Sequence, residues 1–157
     1  FYKMVKKKIL FIHHSPSINT RKLSKFVESK IYNLNLKISL KSLAPLNANT
    51  NSFDSVNGVI IGTTENFGYM AGLTKDFFDR NYDSLRQTTQ GLPIFYYVRA
   101  GQDGEGSRLA INKILKGMGW RQVLPPIILK GPWKNTFLSN LEDKVSNFAH
   151  GIELGIY

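Results

Sequence analysis

The sequence predicts a doubly wound α/β domain, with five parallel strands in the order 2-1-3-4-5 and helices on both faces. Three observations carry this. Short apolar runs alternate with longer stretches of helical apolar spacing. The runs Ile9-Leu10-Phe11-Ile12 and Val59-Ile60-Ile61-Gly62 are continuous, as strands buried on both faces must be. Polar or glycine-bearing loops follow the runs, at what would be the carboxyl ends of the strands.

Taken in order, the first strand covers about Lys8 to His13, and a helix follows from about Arg21 to Asn33 with Leu23, Phe26, Val27 and Ile31 near helical spacing. Leu36 to Leu43 alternates cleanly, which suits an edge strand with one wet face. Ala44 to Ser55 is rich in Asn, Ser and Pro and lacks the apolar period of a full helix, so a loop or short turn is expected. A central strand over Gly58 to Thr63 precedes a helix from about Leu73 to Leu85, in which Lys75 and Asp79 are spaced to pair. The fourth strand, Pro93 to Val98, leads to a helix over Ser107 to Met118 that Gly119 stops. The fifth lies within Val123 to Leu129, where Pro125-Pro126 argues for an edge position, and the last helix covers about Leu138 to Ile152.

With 157 residues the chain makes one domain spanning 1–157, and Phe1 to Lys3, ahead of Met4, are either a remnant of cloning or a native extension. No apolar run approaches the roughly 20 residues needed to cross a bilayer. Lys6-Lys7-Lys8 before four apolar residues mimics a secretion signal but reads as the lead into a buried strand, so a cytoplasmic location is expected. The absence of cysteine excludes disulfides, thiolate metal sites and a cysteine nucleophile. The net charge of +10 favours anionic partners, but the basic residues are scattered along the sequence. No nucleic-acid motif accompanies them, so nucleic acid is not an expected partner.

The chemistry is concentrated in three loops. Ser15-Pro16-Ser17-Ile18-Asn19-Thr20 opens the first helix with hydroxyls, an amide side chain and free backbone N–H groups, a combination that suits a phosphate dianion. N-capping alone would also select these residue types. Thr64-Glu65-Asn66-Phe67-Gly68-Tyr69 supplies two aromatics and a glycine that allows close approach, which suits a flat ring. Ala100-Gly101-Gln102-Asp103-Gly104, continuing to Gly106, is a glycine-rich loop at the same end of the sheet, able to close over a ring edge. The pattern is neither a Walker loop nor the G-x-G-x-x-G of dinucleotide folds. His13 and His14 lie beside the first loop and His150 is remote; no metal-ligand spacing, catalytic triad or acidic receiver cluster is visible.

The segment from Gly62 through Gly72 to Arg80 resembles the second flavin loop of the flavodoxin-like FMN proteins, and His13 to Leu23 resembles their phosphate loop. That superfamily includes flavodoxins and the NAD(P)H-dependent FMN and quinone reductases. The resemblance implies that residues 15–20 hold the FMN phosphate and that 64–69 and 100–104 line the isoalloxazine ring. Two departures stand out: Ile18 where many members have glycine, and Thr64 in place of a frequent proline. The first leans away from electron-carrier flavodoxins, which also tend to be acidic. The implied function is an FMN-dependent oxidoreductase passing a hydride from NAD(P)H to a quinone, flavin or similar acceptor. The alternatives are a one-electron carrier docking on a redox partner protein and a fold that has lost flavin. Catalytic side chains are not expected, because the flavin carries the chemistry. A homodimer is left open.

Overall fold

The computed structural model describes residues 5–157; the extension at Phe1 to Lys3 lies outside them. The elements run β1 (Lys7–His13), α1 (Ile18–Asn33), β2 (Ile38–Leu43), two 3₁₀ turns (Pro45–Asn47 and Thr50–Phe53), β3 (Gly58–Asn66), β4 (Tyr69–Met70), α2 (Gly72–Thr88), β5 (Pro93–Ala100), α3 (Glu105–Met118), β6 (Arg121–Gln122), β7 (Ile127–Lys130) and α4 (Thr136–Leu154). The sheet order is β2-β1-β3-β5-β6, with β7 also on β5 and β4 on β3. All pairings are parallel except the short β3–β4 hairpin.

Alternation along the buried strands builds two cores. Leu10, Ile12, Val59, Ile61, Ile94, Tyr96 and Val98 face α2 and α3, meeting Phe77, Phe78, Ile111 and Leu115. Ile9, Phe11, Ile60, Phe95 and Tyr97 face α1 and α4, meeting Leu23, Val27, Leu141 and Phe148. The sheet is therefore doubly wound, as the apolar period predicts.

The differences have local causes. The first helix starts three residues earlier than its apolar period suggests. Ser17 caps it, donating its N–H to Thr20 Oγ1 (2.8 Å) and accepting from the Thr20 N–H at Oγ (3.1 Å). Of the expected fifth strand only Ile127 to Leu129 forms, in β7, because Pro125 and Pro126 have no N–H to give the ladder; the two-residue β6 precedes the expected span. β6 and β7 form the edge on that side. The central strand runs on to Asn66, longer than its apolar core, and turns into a hairpin that the sequence reading leaves as a loop.

Gly62 sits in β3 beneath Tyr97; a Cβ there would lie 2.3 Å from the Tyr97 ring. Gly62→Ala is expected to cost about 1–3 kcal/mol through overpacking, read as a lower urea midpoint with an unchanged slope.

Candidate functional site

β1 and β3 are neighbours whose connections leave on opposite faces, to α1 and to α2. Such a divergence opens a crevice at the carboxyl ends of the strands. β1 stops at His13, opposite Gly62, while β3 continues four residues further. At about 3.3 Å per residue that overhang is roughly 13 Å, and it forms one wall of the crevice. The start of α1 forms the other.

On the α1 side, His14 donates its N–H to the Gly62 carbonyl (2.9 Å), anchoring the loop to β3. His13 bridges two hydroxyls, Ser15 Oγ at Nδ1 (2.8 Å) and Ser42 Oγ at Nε2 (3.1 Å). Ser42 donates its proton to Glu28 Oε1 (2.7 Å), so it accepts from His13 Nε2–H. In the neutral ring Nδ1 is then an acceptor, and Ser15 spends its proton there. Burial holds the His13 imidazole below its ordinary range, with the Glu28 carboxylate pulling the other way. Thr20 is buried and donates to the Ser17 carbonyl (3.0 Å). Ser17 Oγ meets Thr20 Oγ1 at 2.9 Å, and with the Thr20 proton on the Ser17 carbonyl Ser17 is the donor there. The donors left for an anion are the Asn19 side chain and the backbone N–H groups of Ile18 and Asn19, the first two positions of the helix. Ile18 is exposed and needs no positive φ, so its β-branch carries no strain. The first turn holds no acid; Arg21 closes it and Lys22 follows.

The opposite wall is the hairpin. Glu65 pairs with Met70 and Asn66 with Tyr69. Phe67 and Gly68 at the turn have φ of 53° and 73°, the all-left-handed pattern of a two-residue hairpin. A phenylalanine pays about 1 kcal/mol or more for that backbone, and here its side chain packs on nothing: Phe67 is fully exposed. Tyr69 is 40% exposed. Thr64 Oγ1 donates to Asn66 Oδ1 (2.8 Å), and the buried hydroxyls of Thr63 and Thr74 meet at 2.8 Å, tying β3 to α2. Glu65 Oε1 accepts the Gln102 N–H (3.1 Å), so its carboxyl group lies between the hairpin and the third loop. Its Oε2 is buried without a hydrogen-bond partner among the described residues.

In the third loop, Ala100 closes β5, and Gly101, Gln102 and Asp103 are exposed. Gly104 caps α3 with φ 68°, and Asp103 Oδ1 accepts the Glu105 N–H (3.0 Å). Gly106, read from sequence as part of this loop, is in the first turn of α3. A Cβ on it would lie 1.8 Å from the Gly68 carbonyl oxygen. The hairpin tip therefore rests directly on the α3 main chain.

A fourth loop, residues 131–135, ends at the same edge and is absent from the sequence reading. The Arg99 guanidinium donates to the carbonyls of Ala100 (2.6 Å), Leu129 (3.0 Å) and Gly131 (2.6 Å) and stands 5.1 Å over the Phe137 ring. Trp133 packs edge-on to Phe137 and lies 5.7 Å from Lys22 Nζ. The signal was available: Gly131-Pro132-Trp133 joins a strand to a helix at the same end as the other loops. His150 is exposed on α4. No group of three or more His, Cys, Asp and Glu that could hold a metal exists among the described residues. No helix among them is long and apolar enough to cross a membrane.

No protein-family model and no curated protein matches the sequence. Solved structures do match it. A flavodoxin from the domain Archaea is 16% identical with a TM-score of 0.75, over 92% of this chain and 98% of that one. An NADH:FMN oxidoreductase in its apo form is 16% identical with a TM-score of 0.72, over 92% of this chain and 89% of that one. A flavodiiron core from Synechocystis is 15% identical with a TM-score of 0.78; it covers 97% of this chain, which spans only 37% of that protein. The chain has the flavodoxin-like fold.

Two outcomes test the site. Below about pH 6.5 the unfolded state binds more protons at His13 than the folded state does, so stability from this network is full above that pH and falls on acidification. Urea midpoints measured from neutral to mildly acidic pH should show the fall, and His13→Gln should flatten it. Gly106→Ala should lift the hairpin from α3 and speed amide exchange at residues 66–69. Gly101→Ala, whose Cβ would meet open space, should leave those amides unchanged.

Proposed function

We propose that the protein binds FMN across this crevice and acts as an oxidoreductase, taking reducing equivalents from NAD(P)H for a quinone, flavin or similar acceptor. The observation that carries the reading is the buried, unpartnered Glu65 oxygen between the hairpin and the third loop, across from a helix start whose outward N–H groups lack an acid. One wall thus offers an acceptor for the imide N–H of a flavin ring, and the other offers donors for a phosphate. Held there, FMN would supply the two-electron redox chemistry that the residues of this chain lack.

The chain's own residues bind and orient. The Ile18 and Asn19 N–H groups and the positive end of α1 would hold the phosphate, joined by the Ser17 hydroxyl once it turns from Thr20 Oγ1 to the ligand. Ser15, turned toward His13, positions the loop rather than donating to the ligand. Glu65 would fix the polar edge of the ring, and the Gly68–Gly106 contact holds the hairpin at the depth that makes this reachable. Phe67, already held in a costly conformation with nothing beneath it, is the ring available for stacking. Arg21 and Lys22 at the mouth would attract the phosphates of NAD(P)H. A second reading, a one-electron carrier for a redox partner protein, is supported by the match to the archaeal flavodoxin along nearly its whole length.

Titration of the protein into FMN and into riboflavin, followed by flavin fluorescence, tests the two walls separately. FMN should bind more tightly than riboflavin. Ser17→Ala should weaken FMN about three- to tenfold and leave riboflavin unchanged, whereas Glu65→Ala should weaken both by about tenfold or more. Equal affinity for the two flavins would refute the phosphate assignment. With FMN and a quinone present, NADH oxidation at low ionic strength should be slowed by salt that screens the mouth; FMN binding without any NADH or NADPH oxidation would favour the carrier.

A further inference from the structure

The charge surplus is unevenly held. Residues 1–50 contain ten of the 21 Lys and Arg and a single acid, Glu28, while residues 51–157 contain eleven against ten. The described part of the first stretch is β1, α1, β2 and the turn after it, one edge of the sheet. The excess of basic over acidic residues, which looks scattered along the sequence, therefore gathers on one flank of the molecule.

β2 ends the sheet there, and among the described residues nothing pairs with its outer side. Lys7 N–H bonds to the Lys37 carbonyl (3.2 Å), which sets the phase of the β1–β2 ladder. Lys37, Ser39 and Lys41 turn their main-chain groups toward β1; Ile38, Leu40 and Ser42 turn theirs outward. The side chains of those same three residues line a cavity of about 680 Å³ that is completed by Glu28, Ile31 and Tyr32 of α1, with Lys6 also on it. Tyr32 is 81% exposed beside that hollow. Lys6, Lys37 and Lys41 are exposed along the edge.

A free main-chain ladder, a hollow beside it whose apolar part is Ile31, Leu36, Ile38 and Leu40 and whose polar part includes Glu28, and a basic rim are together complementary to one kind of ligand. We propose that this flank is a strand-addition site for an extended, acidic segment of a partner protein. The outward N–H and C=O groups of Ile38, Leu40 and Ser42 supply affinity, and the hollow accepts alternate apolar side chains of the added strand. The lysines select Asp and Glu and speed encounter. Nucleic acid or an anionic lipid surface would engage the lysines alone and leave the ladder and the hollow unused. A second copy of this chain would bring like charges edge to edge.

Amide exchange on the full chain, read residue by residue by NMR, tests this without any cofactor. The probe is a short synthetic peptide alternating Glu with Val; a peptide alternating Lys with Val, a DNA duplex and phosphatidylserine vesicles are compared with it. The expected result is that the Glu peptide slows exchange at Ile38, Leu40 and Ser42 by about tenfold or more, leaves Ser39 and Lys41 unchanged, and loses this effect in salt. Lys37→Glu combined with Lys41→Glu, both at exposed positions, should weaken the Glu peptide by about tenfold and improve the Lys peptide. No protection at the three outward amides, equal binding of the two peptides to the native chain, or stronger protection by duplex or vesicles would overturn the proposal.

Discussion

The crevice depends on the confinement of β3. That strand is hydrogen-bonded on both edges, to β1 and to β5, and covered on both faces by helices. With no water available, every N–H and C=O group in it must pair, which fixes its register against both neighbours. Where the covering side chains crowd in, the strand can carry only glycine: Gly58 under Ile152 and Phe148, Gly62 under Tyr97. Once the register is fixed, so is the overhang beyond His13, and with it the height of the hairpin above the start of α1. The base of each wall is set by main-chain pairing in the core, and only the hairpin tip is then fixed by a contact of its own.

Polar side chains around the crevice mostly hold shape. Arg99 ties the end of β5 to the turn after β7, Thr63 and Thr74 fasten β3 to α2, and the Glu65–Gln102 bond spans two loops. The hairpin tip is held by main chain against main chain, because Gly106 has no side chain to keep Gly68 away. What remains unsatisfied among the described residues is little: one oxygen of Glu65, the buried Ser107 hydroxyl in the first turn of α3, and the outward donors at the start of α1. A site of this kind fits a ligand that brings its own reactivity and needs only to be seated.

The fold was legible because burial on both faces leaves continuous apolar runs, and those runs mark β1, β3 and β5 directly. The crevice was legible at the level of which loops converge, since the doubly wound order alone decides that. The geometry inside it was not. Nothing local distinguishes Gly106 from an ordinary loop glycine, because its role is set by Gly68, far away in sequence. The hairpin escaped because Phe67-Gly68 lacks the Asn or Asp that usually marks a turn with two left-handed residues. The His13–Ser42–Glu28 network joins three separate elements, so it has no signature in spacing. The concentration of charge on one flank was countable in the sequence, yet it reads as scatter until β1, α1 and β2 are seen side by side.

That concentration runs against local stability, which gives it meaning. Arg21 in the first turn of α1 opposes the helix dipole at about 0.3–1 kcal/mol, with Lys22 just beyond it, and the capping box uses Thr20 where Glu would complement the dipole. Elsewhere the chain matches its charges within helices: Lys75 with Asp79, Arg80 with Asp76, and Arg108 with Glu105. Among the described residues of β1, α1 and β2, Lys30 is the one lysine or arginine in an ion pair, with Glu142 (2.9 Å). The same sequence that neutralises α2 leaves this unit cationic at both the helix start and the strand edge. A local helix preference accounts for neither position, since it would place acids at the first and is indifferent to the second. Both are the positions at which the two proposed ligands would bring negative charge, the phosphate where the helix begins and carboxylates along the unpaired strand.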